Sequence, residues 1–292
     1  MRNLRSIMLM VMAMAGFAVE DTFIKILSAE FSIAQILIMI GIGGSAIFAF
    51  LARLFGHKMF MAPLFTVPFV TRFFAEAFAA LCFLTAISVI PLSTASTILQ
   101  SVPILVTAAA ALFLRQHVGA RRWGATIIGF FGVVLVIQPG VVGFHWGTVL
   151  ALLGAIFLSF RDLSTRVMDQ EVPTLVVAAY GFFAAIFAGL LLLPFSEPLT
   201  IPTQLQWLQF AATTLTGVLA YAAIVASTRV GDVGAVAPFR YSRLIFVLVI
   251  SVVVLEERPD KIMLSGASII IASGIYTFMR ERRIKLEFES TG

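Results

Sequence analysis

Charge is what this chain has least of. Of its 292 residues only 12% are Asp, Glu, Lys or Arg, while 60% are hydrophobic. Soluble domains carry about 25% charged residues. The shortfall excludes an ordinary soluble globule, and a mean hydropathy of +1.04 agrees. Cysteine is nearly absent too: Cys82 stands alone, which excludes an intrachain disulfide and leaves the compartment open. No Ser/Gly-rich linker or low-complexity tract interrupts the chain. There is no Walker-type glycine loop, no Gly-x-Ser-x-Gly and no His-Glu-x-x-His. His57, His117 and His145 fall singly between apolar runs, not clustered as metal ligands. These absences lead us to expect a non-enzyme with no cofactor and no metal. The net charge of +5 raises nucleic acid as a partner. Most basic residues, however, flank apolar runs, where membrane topology explains them better, so no nucleic acid is expected.

What the chain does have is long apolar runs, continuous rather than alternating, which excludes a membrane β-barrel. A membrane helix takes about 20 residues. The runs read as ten helical spans, near 6–27, 33–54, 64–87, 92–114, 120–138, 146–167, 173–194, 204–228, 234–255 and 262–280. The expected fold class is an all-α membrane protein. Pro91, Pro139-Gly140, Pro173, Pro194, Pro198 and Pro259 mark breaks between spans. Pro68, Pro103 and Pro238 fall inside spans, where proline frees a carbonyl and kinks the helix; they are the expected hinges.

Arg2 and Arg5 before an apolar run, with Ala13-Met-Ala15 after it, have the form of a secretory signal. A later internal copy of the same segment argues that it is kept as a span. With the N-terminus in the cytoplasm, the inner side holds Arg2, Arg5, Arg53, Lys58, Arg115, Arg121, Arg122, Arg166, Arg229, Arg280, Arg282, Arg283 and Lys285. The outer side holds Lys25, Arg258 and Lys261, and Arg72, Arg161, Arg240 and Arg243 lie within spans. Basic loops resist translocation, so both termini are expected in the cytoplasm. Trp123, Trp146 and Trp207 sit near span starts, as interfacial anchors do.

The chain repeats itself. In the first span, GFAVEDTFIKIL carries Glu20, Asp21 and Lys25; 141 positions after Asp21 and Lys25 stand Asp162 and Arg166. Leu84–Ser96 matches Ile224–Val236, and Gly124–Gly132 matches Gly266–Gly274, at nearly the same offset. Five spans per repeat is an odd number, so the second copy is expected upside down, an architecture of transporters. The expected units are 1–140 and 141–280, each a five-helix repeat, and a cytoplasmic tail, 281–292.

Val102–Gly140, VPILVTAAAALFLRQHVGARRWGATIIGFFGVVLVIQPG, resembles the second part of an EamA domain, of the drug/metabolite transporter superfamily. That pattern has a proline-started helix, a loop often reading Leu-Gly-Glu-Arg, and a Gly-rich helix. The loop here reads Leu114-Arg-Gln-His117, and its second copy, Leu255-Glu-Glu-Arg258-Pro, is closer. Ala237–Asp260 is similar to bacterial members as well. The resemblance covers nearly the whole chain. It implies ten helices with both termini inside, and a central cavity lined by the first four helices of each repeat. It also implies a bacterial inner-membrane transporter, with amino-acid exporters the nearest likeness; members also move nucleosides, sugars, cofactors and drugs.

Ionisable groups within spans cost roughly 2.5–3.5 kcal/mol each at a helix centre, which makes them candidates for function. Arg72 and Glu76, spaced i, i+4, share a face and suit a zwitterion, or pair with each other. Glu20 is a candidate for proton coupling, as in small multidrug exporters, though the aligned residue is Arg161. Adjacent Glu20 and Asp21 are not expected to face one cavity squarely. The alternative is a charge network of Glu20, Asp21, Lys25, Arg161 and Asp162 holding the first and sixth spans together. Arg240 and Arg243 share a face beside Pro238 and Tyr241, and Gln100 and Pro103 align with this region. Glu20, Arg72, Glu76, Gln100, Arg240 and Tyr241 are therefore the expected substrate-binding residues. Phe73, Phe74, Phe78 and Phe83 could pocket an aromatic side chain, or face lipid. Gly41, Gly43, Gly44, Gly129 and Gly132 are expected to let helices approach.

The expected function is alternating-access export of small metabolites, neutral or aromatic amino acids first, with membrane lipid as surroundings. Another solute class is the alternative; an intramembrane enzyme or a channel is weaker still. Oligomeric state is open.

Overall fold

A computed structural model describes residues 2–113, 120–138, 145–168, 171–230 and 236–291. The Leu114–His117 loop and the Pro139-Gly140 break lie outside the described residues. All regular structure among the described residues is helical. The α-helices are α1 (Arg2–Leu27), α2 (Ile33–Leu54), α3 (Val67–Val89), α4 (Leu92–Leu99), α5 (Val102–Phe113), α6 (Ala120–Ile137), α7 (Trp146–Val167), α8 (Thr174–Leu192), α9 (Gln204–Val230), α10 (Ser242–Val253) and α11 (Lys261–Thr291). Short 3₁₀ turns lie at Ala62–Phe65, Leu193–Phe195 and Ala237–Tyr241.

Eight stretches among the described residues are long and apolar enough to cross a membrane, α4 and α5 counting as one, Leu92–Phe113. Trp123–Ile137 is a shorter apolar helix. The chain is a multi-pass integral membrane protein. The expected 234–255 span is not one long helix: its described part is the 3₁₀ turn Ala237–Tyr241 followed by the 12-residue α10. α11 continues past Arg280 to Thr291, so the expected tail extends a helix.

Local chemistry sets the helix starts. Ser32 caps α2 by accepting from Gln35 N at 3.3 Å. His145 Nδ1 accepts from Gly147 N at 3.0 Å and caps α7. Asp260 Oδ1 accepts from Met263 N at 2.6 Å at the start of α11. That N–H, helped by Gln138, holds the Asp260 carboxyl below its ordinary range. Pro68 stands in the first turn of α3, where its missing N–H costs nothing, so it begins the helix instead of kinking it. Pro103 lies in the first turn of α5, just past the break after α4. Pro238 lies inside the 3₁₀ turn that precedes α10.

The helices pair antiparallel. α1 packs along α9, α3 along α7, α2 along α8, and α6 along α11. Glycine sets the closeness of two of these pairs. A Cβ at Gly41 would lie 2.7 Å from Ile186, and one at Gly132 would lie 2.9 Å from Gly266 O. Gly43 instead faces Thr214 of α9.

We call the end of the bundle where α1 begins proximal and the other end distal. Distal loops are tied across the bundle. Lys25 Nζ donates to Ile90 O at 3.0 Å. Gln35 and Thr200 exchange two hydrogen bonds, 2.6 and 3.0 Å. Gln206 donates to Glu30 at 2.5 Å and Gln138 to Asp260 at 2.8 Å. Glu257 accepts from Leu92 N at 2.6 Å. At the proximal end Ser227 donates to Ser6 O at 2.7 Å and Tyr180 to Met59 O at 3.1 Å.

Candidate functional site

A cavity of about 370 Å³ lies between α1, α3, the α4–α5 break, α7, α9 and residues 240–243. Its wall includes Glu20, Asp21, Arg72, Glu76, Gln100, Arg161, Asp162, Arg240 and Tyr241, all expected from sequence, and Pro103. Pro68 and Pro238 are not part of the wall. The exposed rim is proximal: Thr165 near the end of α7, and the Arg240 side chain, 41% exposed.

Each charge is placed by a helix face. Arg72 and Glu76 follow one another by one turn on α3, and their side chains meet at 3.3 Å. α7 lies antiparallel beside them and brings Arg161 to 3.1 Å from the other Glu76 oxygen. Arg161 also donates to Asp162 Oδ1 through Nε at 3.0 Å and a terminal nitrogen at 2.7 Å. Arg240 reaches Asp162 Oδ2 at 3.9 Å. Arg72 Nε donates to Thr165 Oγ1 at 3.1 Å. The result is a ladder of alternating sign, Arg72–Glu76–Arg161–Asp162–Arg240, joining α3, α7 and the turn before α10.

A second pair stands apart. Arg243 donates to Asp21 at 2.5 Å and lies over the rings of Phe17 and Phe83, 5.4 and 5.9 Å from their centroids. Glu20 is half-buried, its carboxyl group laid against Gly217 of α9. Gln100, at the α4–α5 break, donates to Tyr241 O at 3.3 Å, so the two irregular segments touch.

Three expectations change. Glu20 and Asp21 both line the cavity, along with Met14, Phe17 and Ile24 on the same face of α1. The network imagined between the first and sixth spans is not formed. Asp21 pairs with Arg243, Lys25 with a carbonyl, and Arg161 and Asp162 with α3 and each other. α1 lies against α9 instead. Of the four phenylalanines only Phe83 reaches the cavity. Phe73 and Phe74 pack with Phe187, and Phe78 stacks on Phe157. Sequence reasoning left Arg243 out of the expected site, although its spacing from Arg240 was the available signal. Nothing in the sequence pointed to Tyr221 of α9, which also lines the cavity, or to Thr165.

Chemically, the wall combines four carboxylates and four arginines with apolar Met14, Phe17, Phe83 and Leu158. Such a surface can hold a small solute that is both charged and apolar. Among the described residues no group of three or more His, Cys, Asp or Glu could hold a metal ion.

Residues 4–138 and 145–279 each match the EamA-like transporter family. An S-adenosylmethionine uptake transporter of Rickettsia bellii is 26% identical over 200 residues, 68% of this chain and 67% of that protein. A riboflavin transporter of Vibrio cholerae is 26% identical over 63% of this chain and 61% of its own length. The pseudopaline exporter CntI of Pseudomonas aeruginosa is 22% identical over 92% of this chain and 94% of its own. A solved crystal structure, 19% identical, shares the fold with a TM-score of 0.64, covering 96% of this chain and 98% of its own.

Proposed function

Because the chain belongs to the EamA-like transporter family, we propose that this membrane transporter is a secondary carrier of small zwitterionic metabolites working by alternating access. Neutral or aromatic amino acids are the solutes that fit first. The observation that carries the reading is the cavity wall, which offers both signs of charge in equal number beside apolar side chains. A solute with an ammonium, a carboxylate and an apolar body meets a partner for each part. The volume of about 370 Å³ is at the small end of ligand sites, suited to one small metabolite. S-adenosylmethionine, named for one relative, also carries an amino-acid end.

The helix pairing supports ten spans in two inverted repeats, with α6 and the turn–α10 segment completing the set. α2 lies along its repeat counterpart α8, and α6 along α11. α1 pairs with the counterpart of α3, and α3 with the counterpart of α1. A two-fold axis in the membrane plane produces this exchange. The basic-residue count supports a cytoplasmic proximal rim, in keeping with a bacterial inner membrane as the proposed location.

A second reading, a carrier of uncharged cofactors, is favoured by the riboflavin transporter among the relatives. Counterflow in proteoliposomes decides between them, using labelled L-phenylalanine, S-adenosylmethionine and riboflavin. Saturable exchange of a zwitterion without riboflavin is the expected result. Riboflavin exchange with neither zwitterion moving would replace this reading by the second.

A further inference from the structure

We propose that two residues act as opposed poles that select the solute, Glu20 for its cation and Arg240 for its carboxylate. The assignment rests on the zwitterion-carrier reading and names the residues that would enforce it.

It comes from asking which cavity charges are already committed. Asp21 is 4% exposed and bonded to Arg243. Both Glu76 oxygens are taken, one by Arg72 and one by Arg161. Asp162 Oδ1 receives two N–H groups of Arg161. Among the described residues, no ion pair or hydrogen bond joins Glu20 to another side chain. The cationic field that reaches it comes from Arg243, which is already bonded to Asp21. On the basic side, Arg72, Arg161 and Arg243 are each held at 3.3 Å or closer. Arg240 has one distant acid at 3.9 Å, and its side chain is the most exposed of the four.

The five-membered ladder contains three arginines and two acids, so one positive charge is left over, and it ends at Arg240. The Asp21–Arg243 pair cancels. Glu20 supplies the remaining negative charge, on α1. An intramembrane charge kept only for packing would be expected to be paired like the other six. Glu20, which has no side-chain partner among the described residues, and Arg240, whose one acid stands 3.9 Å away, are the two exceptions; they differ in sign, and both face one cavity. A guanidinium free to turn can fork onto a solute carboxylate, while the ammonium or sulfonium end gives Glu20 its missing counter-charge.

The test is competition in counterflow, with labelled L-phenylalanine and S-adenosylmethionine as parallel probes. The competitors for the first are phenylalanine amide, which lacks the carboxylate, and N-acetylphenylalanine, which lacks the ammonium. Wild-type protein should disfavour each by roughly 10–100-fold, the worth of one hydrogen bond to a charged group. Glu20→Gln should erase the discrimination against N-acetylphenylalanine alone, and Arg240→Gln that against the amide alone. If either neutral variant fails to fold, Glu20→Asp and Arg240→Lys should shift the same ratio in the same sense by a smaller factor. Wild-type exchange with unshifted ratios in all variants overturns the poles and leaves the carrier reading standing. No exchange of either probe by wild-type protein overturns both.

Discussion

The carboxylate of Glu257 grips Ser93 twice, accepting from its backbone N–H at 3.0 Å and from its hydroxyl at 2.5 Å. With the bond from Leu92 N, it completes the N-terminus of α4 from a residue 164 positions away in the chain. A carboxylate there satisfies amides that have no partner within the helix and meets the positive end of its dipole. Glu257→Ala should lower the midpoint of thermal unfolding in detergent, by the equivalent of about 1.5–3 kcal/mol. It should also raise the labelling rate of a cysteine placed at Thr94, because the distal end loosens. An unchanged melting midpoint would show that water replaces Glu257 without loss.

Arg243 and Asp21 make a separable pair. Removing one partner of a buried ion pair leaves an uncompensated charge and costs about 3–5 kcal/mol. Asp21 is 4% exposed, so Arg243→Ala should destabilise on that scale. The double variant Asp21→Asn with Arg243→Gln should recover much of the loss, and a double-mutant cycle on melting midpoints reads the coupling. Additive losses would mean that the two act independently.

Gly217 gives the Glu20 side chain its room. A Cβ at this position would overlap the carboxyl group, with Cδ only 2.7 Å away. Gly217→Ala should cut exchange of the preferred zwitterion by tenfold or more if Glu20 binds it, while the protein still folds. Gly124→Ala is the control. Nothing lies within 4 Å of a Cβ there, and replacing glycine in a helix should stabilise by up to about 1 kcal/mol. Equal transport loss in both variants would disconnect Gly217 from the solute.

Glu256 sits where the resembling pattern often has glycine, and its φ is 55°. Left-handed backbone costs an L-residue roughly 1–2 kcal/mol. Glycine's extra freedom in the unfolded chain offsets about 0.5–1 kcal/mol of that. Glu256→Gly should therefore raise the melting midpoint slightly, and Glu256→Val should lower it. The opposite order would show that the side chain matters more than the backbone.

The positions of the spans and of the buried charges were legible because lipid makes both conspicuous. An apolar run ends where loop chemistry begins, and Glu20, Asp21, Arg72, Glu76, Arg161 and Asp162 stand out against their surroundings. Who pairs with whom was not legible. An offset of 141 says that Asp21 and Asp162 occupy equivalent places, which is different from saying that they touch. Packing of α10 against α1 gives Asp21 to Arg243, while Asp162 pairs with its own chain neighbour, Arg161. Phenylalanine was ambiguous for a related reason. Phe73, Phe74, Phe78 and Phe83 sit on one helix, and only its rotation, set by α7 and α8, decides that Phe83 alone meets the cavity.

The ties that bridge the distal loops are many and individually weak. Those between neutral groups are worth about 0.5–1.5 kcal/mol net and those to a charged group about 1.5–3, since water takes over much of what a partner gives up. A shift of about 1.4 kcal/mol changes an equilibrium tenfold. On the proposed alternating-access reading, exchanging one polar residue in a distal turn would therefore shift which side stands open at rest without touching the solute's binding groups. Kindred carriers could thus diverge in posture first and in diet later.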